Sequence, residues 1–164
     1  MTHQLILLRH AKSDWPENVP DHDRPLGKRG RRDAPQVGRW LRQHDHIPDA
    51  VICSTAMRTR ETWELASAKF HEQIPAVTFE PRAYAASAMT LLYLAREVQE
   101  STGTALIIAH NPGISELARS LAGTSRDQLS FPTAGVAVLE VRQRWADLGP
   151  GDAHLVAFVT PADM

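Results

Sequence analysis

Leu5-Ile6-Leu7-Leu8-Arg9-His10-Ala11-Lys12-Ser13 sets four aliphatic residues directly against an arginine and a histidine. An apolar run of this length suits a strand buried on both faces, as in a parallel sheet covered by helices. The polar pair then falls where the strand leaves the sheet. Open α/β sheets bind their ligands at the carboxyl ends of their strands. The same device recurs at Thr104-Ala105-Leu106-Ile107-Ile108-Ala109-His110, and more loosely at Val51-Ile52-Cys53-Ser54 with Arg58 following. Two histidines and two arginines at strand ends point to a site that converges on an anion.

Outward from that strand, Asp14 to Pro25 is rich in proline and charge and reads as a surface loop forming one wall of the site. Ala34, Val37 and Leu41 recur at helical spacing, which predicts a helix from about Lys28 to Gln43. Pro35 interrupts that pattern, so the helix either starts late with Asp33 as its N-cap or kinks near Pro35. The basic run Lys28, Arg29, Arg31 and Arg32 reads as a solvated helix start. A strand over Ala50–Cys53 leads into a helix capped by Ser54 or Thr55 and running to about Ala68, with Arg58 in or near its first turn. There the helix dipole already favours negative charge. A third short strand, Val77–Phe79, precedes a helix from about Ala88 to Glu100. The strand ending at His110 is followed by a helix from about Ile114 to Leu121, with Pro112 at its first position. Gly135–Val141 and Ala153–Val159 are joined by a turn-rich connection and should pair antiparallel. The expected architecture is one domain, 1–164, of three-layer α/β/α type, with a largely parallel central sheet and a C-terminal antiparallel strand pair.

The composition narrows the function classes. The chain has 164 residues, long enough to bury a core without staples. Its net charge of −1 supplies no global field for nucleic acid or an acidic membrane, so attraction for an anionic substrate must be local. One cysteine, Cys53, excludes an intramolecular disulfide framework and suits a reducing compartment. The N-terminus has no secretory pattern, and no apolar run approaches the roughly 20 residues of a membrane helix. A cytoplasmic protein without membrane or nucleic-acid partners is expected.

Phosphoryl transfer needs its negative oxygens neutralised and a nucleophile held in line. Arginine offers a fork of donors matched to phosphate, which makes Arg9 and Arg58 the clamps. A neutral imidazole attacks phosphorus and carries the group as phosphohistidine, a role that suits His10 at its strand end. His110 adds a donor or a stabilising charge. No phosphate-cradling glycine loop is present, which disfavours a nucleotide triphosphatase.

Leu8-Arg9-His10-Ala11-Lys12-Ser13 resembles the signature of the histidine phosphatase superfamily, in which Arg-His-Gly is the commoner form. Alanine after the histidine, followed by Lys-Ser, is more similar to the small SixA-type phosphohistidine phosphatases. Asp23-Arg24-Pro25-Leu26 with Gly30 resembles that group's segment before the first helix. Ser54-Thr55-Ala56-Met57-Arg58-Thr59-Arg60-Glu61-Thr62 and Ala109-His110-Asn111-Pro112-Gly113 resemble the superfamily's second-arginine and second-histidine motifs. The motifs stand in order over residues 5–114. The resemblance implies a phosphoglycerate mutase-like fold and a phosphate pocket of Arg9, His10, Arg58 and His110, with His10 as the phosphorylated nucleophile. It implies no metal and no cofactor. Ser13 is a further candidate for the pocket through its hydroxyl.

The larger members carry an acidic proton donor in a Leu-x-Glu segment after the third strand. Here the region reads Phe79-Glu80-Pro81-Arg82-Ala83-Tyr84 and the pattern is absent, which leaves Glu80 as a poor match for the donor. No long insertion is available to build a lid. Both departures favour a phosphoramidate such as a protein phosphohistidine over an alkyl phosphate, because its leaving nitrogen takes a proton readily from solvent. Two alternatives stand beside this reading: a small-molecule phosphomonoesterase, with Glu80, Asp14 or a loop aspartate as the acid, and a non-catalytic phosphate-recognition module. The partner is accordingly a phosphorylated protein or a small phosphorylated molecule. Cys53 does not form a Cys-x₅-Arg loop with either Arg58 or Arg60 and reads as a buried strand residue. His44-Asp45-His46 and Asp21-His22-Asp23 lack a second cluster to complete a metal shell. Trp15 reads as a loop anchor, and Trp40 and Trp63 as packing residues on their helices.

Overall fold

Four residues, Leu5, Ile6, Leu7 and Leu8, have no exposed surface at all in the computed structural model, which describes residues 2–71, 73–124 and 129–164. They form the middle of β1 (His3–Arg9) and point alternately to two separate cores. The remaining strands are β2 (Ala50–Ser54), β3 (Val77–Glu80), β4 (Thr104–Ala109), β5 (Val136–Val141) and β6 (Ala153–Val159). They make a six-stranded sheet in the order β3-β2-β4-β1-β5-β6. β1 to β4 are mutually parallel, and β5 pairs antiparallel with both β1 and β6. One reversed strand therefore separates β6, which again runs with β1, from the parallel block.

The helices cover both faces, as strands buried on two sides require. α1 (Lys28–Gln43) and α2 (Met57–Ser67) pack over Ile6, Leu8, Val51, Cys53 and Ile108. α3 (Ala88–Arg96) and α4 (Gly113–Ala122) pack over Leu5, Leu7, Ile107 and Leu139 on the other face. Trp63 is buried on α2, and Trp40 is buried on α1 with His44 stacked on its ring.

Two helix starts differ from expectation for identifiable reasons. α1 begins at Lys28, with Gly27 as N-cap, and runs through Pro35. Asp33 is not its cap: it is buried in the helix interior between the guanidinium groups of Arg29 and Arg32. α2 is capped by neither Ser54 nor Thr55 but begins after Ala56 with no side-chain cap. Both hydroxyls have other partners, Ser54 with His110 and Thr55 with His22. α3 stops at Arg96, short of the expected Glu100, and Pro112 is the N-cap of α4 rather than its first residue. No helix among the described residues is long and apolar enough to cross a membrane.

Candidate active site

β2, β4 and β1 are neighbours, so their carboxyl ends open at one place on the sheet rim. β1 delivers Arg9 and His10, β4 delivers His110, and the turn after β2 delivers Arg58 at the second position of α2. All four line one cavity of about 150 Å³, together with Ser13, Trp15 and Arg24 from the loop between β1 and α1. The rings of His10 and His110 lie 5.3 Å apart between centroids.

Each side chain is held from behind. The His10 Nδ1–H donates to the carbonyl of Ala11 at 2.8 Å, which leaves the lone pair on Nε2. The Ala11 N–H donates in turn to Thr62 Oγ1, tying the end of β1 to α2. Arg9 Nη1 donates to the Phe131 carbonyl at 3.0 Å, the same oxygen that accepts from Asn111 Nδ2. Arg58 Nη1 and Nη2 donate to the backbone carbonyl and the carboxylate of Asp21, at 2.8 and 3.1 Å. His110 Nε2 bonds Ser54 Oγ at 2.7 Å. After these bonds, Arg9 Nε, Arg58 Nε and His110 Nδ1 are buried without a partner. Buried donors are ordinarily satisfied, and leaving one unpaired costs about 1–3 kcal/mol. The side chains of all three residues line the cavity, so an oxyanion there meets two guanidinium groups and an imidazole.

Burial and the neighbouring cations keep both imidazoles neutral. Desolvation first, with Arg58 and Arg9 adding to it, pushes His10 down to about 3. Burial and Arg58 push His110 down to about 4. Arg9 is lowered by burial and by Arg58 beside it. Ser13 does line the cavity, where its Oγ accepts from Arg24 Nη2 and keeps its own hydrogen for a ligand.

Glu80 is not brought to this site. Its carboxylate is held by Arg82, through the backbone N–H and through the guanidinium at 2.7 Å, and Arg82 lowers its pKa. It lines a separate groove of about 420 Å³ beside Ile52, Leu94 and Val98. A carboxyl kept ionised, outside the pocket, does not serve as the proton donor. Asp14 also faces elsewhere, with its carboxylate against Gly27 at the start of α1.

The residue that sequence reasoning missed is Asp21. It accepts from Tyr84 Oη at 2.6 Å, from Arg24 Nη1 at 2.9 Å and from Arg58, and these bonds hold its carboxyl well below the usual range. It aims Arg58 and is itself no acid at neutral pH. Its spacing three residues before Arg24 was the available signal, but the flanking His22 and Asp23 made the triplet look like a metal motif. Among the described residues no group of three or more His, Cys, Asp or Glu is placed to hold a metal ion. Cys53 is buried in β2, its thiol pushed up to about 12 by desolvation, and is no nucleophile.

Two guanidinium groups and two neutral imidazoles at the strand ends of a mixed, mostly parallel sheet define an α/β domain with a basic pocket on its sheet rim. The family model "Histidine phosphatase superfamily (branch 1)" matches residues 5–82. An uncharacterised protein of Mycobacterium tuberculosis is 42% identical over 163 residues, covering 94% of this chain and 99% of its own. A candidate phosphohistidine phosphatase SixA from Nakamurella multipartitia superposes with a TM-score of 0.86 at 31% identity, over 98% of this chain and 97% of its own. A second SixA candidate, from Agrobacterium tumefaciens, gives 0.83 at 27% identity, over 97% and 98%. The chain belongs to the histidine phosphatase superfamily.

Proposed function

We propose that the chain is a phosphohistidine phosphatase that works through a covalent phosphohistidine on His10. The observation that carries this reading is the His10 ring itself. Its Nδ1 is pinned by the Ala11 carbonyl, its lone pair is free at Nε2, and the Arg9 and Arg58 guanidinium groups and the His110 ring line the same cavity. Arg9 and Arg58 hold the phosphoryl oxygens through their guanidinium groups. His110 donates from Nδ1, which requires the ring hydrogen there; Ser54 permits it by donating its hydroxyl hydrogen to Nε2. His10 Nε2 attacks phosphorus as the bond to the leaving group breaks. Water then attacks phosphorus from the side the leaving group has vacated, in line with the bond to His10 Nε2; that bond breaks, the water gives a proton to solvent, and inorganic phosphate and the free imidazole result.

The choice of substrate rests on the acids around the pocket. Glu80 is elsewhere, Asp21 is fixed as a carboxylate, and His110 is neutral. An alkoxide leaving group would miss a proton donor, a contribution on the order of 10²–10⁴-fold. A leaving imidazole nitrogen is protonated readily by solvent. Both the identified SixA candidates and this chemistry support a phosphoramidate, in particular a phosphohistidine side chain on a protein. The bonding of Asp21 to Arg58 and Tyr84 gives no support to the phosphomonoesterase alternative with a loop aspartate as acid.

Phosphate release is the test, measured on a phosphohistidine protein and on an aryl phosphate, for the wild type and His10→Ala. The expected outcome is faster turnover of the phosphohistidine protein and no turnover by His10→Ala. Hydrolysis undiminished in His10→Ala sinks the mechanism. Wild-type inactivity on both substrates, with tight oxyanion binding, favours a phosphate-recognition module.

A further inference from the structure

Trp15 is 74% exposed, while Trp40, Trp63 and Trp145 are all buried. It is therefore not an anchor sunk into the fold, yet it is not loose either. The Arg24 guanidinium carbon sits 3.2 Å from the centroid of the indole ring. Arg24 is itself buried and fully committed: Nε donates to the Asp14 carbonyl at 3.0 Å, Nη1 to Asp21 at 2.9 Å, and Nη2 to Ser13 Oγ. The loop beneath is fixed by Asp14 N–H donating to the Pro25 carbonyl and by the bridge between Ser13 and Leu26. A large apolar ring is thus held rigidly in solvent, one face on a cation, at the wall of the cavity that holds His10 and His110.

We propose that the open face of Trp15 is the leaving-group subsite, and that it stacks the planar imidazole of a phosphohistidine side chain. This rests on the phosphatase reading above. The phosphate pocket is too small, at about 150 Å³, to enclose both a phosphoryl group and a ring on a peptide. The leaving group must lie at its mouth. Trp15 meets it there with a flat π-surface already ordered by Arg24, so stacking costs no rotamer freedom on the enzyme side. An ammonia or small alkylamine leaving group has no face to stack and gains nothing from Trp15.

The test compares phosphoimidazole with phosphoramidate, which carry the same phosphoryl group on a planar and a non-planar leaving group. For Trp15→Ala, the ratio of kcat/KM for phosphoimidazole to that for phosphoramidate should fall about three- to tenfold, mainly through KM. Trp15→Phe should restore most of it. A ratio unchanged in Trp15→Ala overturns the subsite, as does an equal loss on both substrates, which would mean that Trp15 only supports the loop. A second readout does not depend on turnover. In His10→Ala, phosphoimidazole should protect the exposed tryptophan from acrylamide quenching, and inorganic phosphate should not. Phosphate release by the wild type without that protection removes the subsite and leaves the phosphatase reading intact. Protection without release keeps the subsite and removes the proposed hydrolysis.

Discussion

The surroundings of His10 suit the nucleophile's role proposed for it: a buried imidazole beside two guanidinium groups has no reason to take up a proton. With His10 at about 3 and His110 at about 4, both rings are in the neutral form at any pH near neutrality. The acid limb of kcat/KM on an aryl phosphate, once the substrate's own ionisation is divided out, should therefore lie below about pH 5. A limb near the ordinary histidine value of 6.5 would contradict the burial of His10. Ser54 makes a second prediction at this scale. Ser54→Ala leaves His110 Nε2 without its partner in a buried site, which should lower kcat by about 5- to 100-fold and weaken oxyanion binding with it. ¹⁵N shifts of the His110 ring in wild type and variant check whether the tautomer has moved. The four charged and imidazole groups of the pocket were readable from the chain because each follows an apolar run or a helix-start signal. Asp21, Ser54 and Thr62 were not, because they act through other residues and their hydrogen bonds span 37, 56 and 51 residues.

At the scale of elements, α1 approaches its neighbours closely enough to require glycine twice. A Cβ on Gly38 would sit 1.9 Å from the Ala66 carbonyl oxygen on α2, and one on Gly30 would sit 2.1 Å from the Lys12 carbonyl oxygen. Both contacts are with backbone, so alanine at either position must displace a segment, at a cost of about 1–3 kcal/mol. Gly38→Ala should lose that stability with kcat/KM preserved below its melting temperature. Gly30→Ala should lose stability and activity together, because Lys12 follows His10 by two residues and accepts the Gly27 N–H. Denaturant midpoints alongside kcat/KM separate the two, and equal activity loss in both variants would refute the distinction. The helices and strands themselves were legible wherever period and length were unambiguous: β4 and β6 begin and end as the pattern predicts. Helix starts were less so. Pro35 looked like a boundary, yet α1 continues past it, held by Ala34, Val37 and Leu41 against the sheet. Ser54 looked like a cap, but its hydroxyl is drawn away by a histidine that no local pattern reveals.

For the molecule as a whole, gathering three strand ends on one rim leaves two buried neutral imidazoles in the native state, and stability must follow pH accordingly. An unfolded chain binds a proton at each of these histidines near 6.5, whereas the folded chain does so only near 3 and 4. Below 6.5 the unfolded state thus holds more protons, and folding stability declines as pH falls, by at most about 1.4 kcal/mol per pH unit for each group. Asp21 acts in the same direction but lower. Its depressed carboxyl stabilises the fold above the ordinary value of 3.8, and that contribution disappears as acid protonates it. Between about pH 6 and pH 5, above the range where the lowered carboxyls of Glu80, Glu97 and Glu100 begin to count, the decline belongs mainly to the histidines. It should be shallower in His10→Ala than in the wild type, while Asp21→Asn should leave its slope unchanged in that range. Saturating tungstate should also flatten it, because a bound oxyanion raises the pKa of both rings in the folded state. Urea midpoints at stepped pH, with and without tungstate, provide the measurement. A wild-type slope that His10→Ala and tungstate both leave untouched would mean that the histidines are not held neutral by the fold.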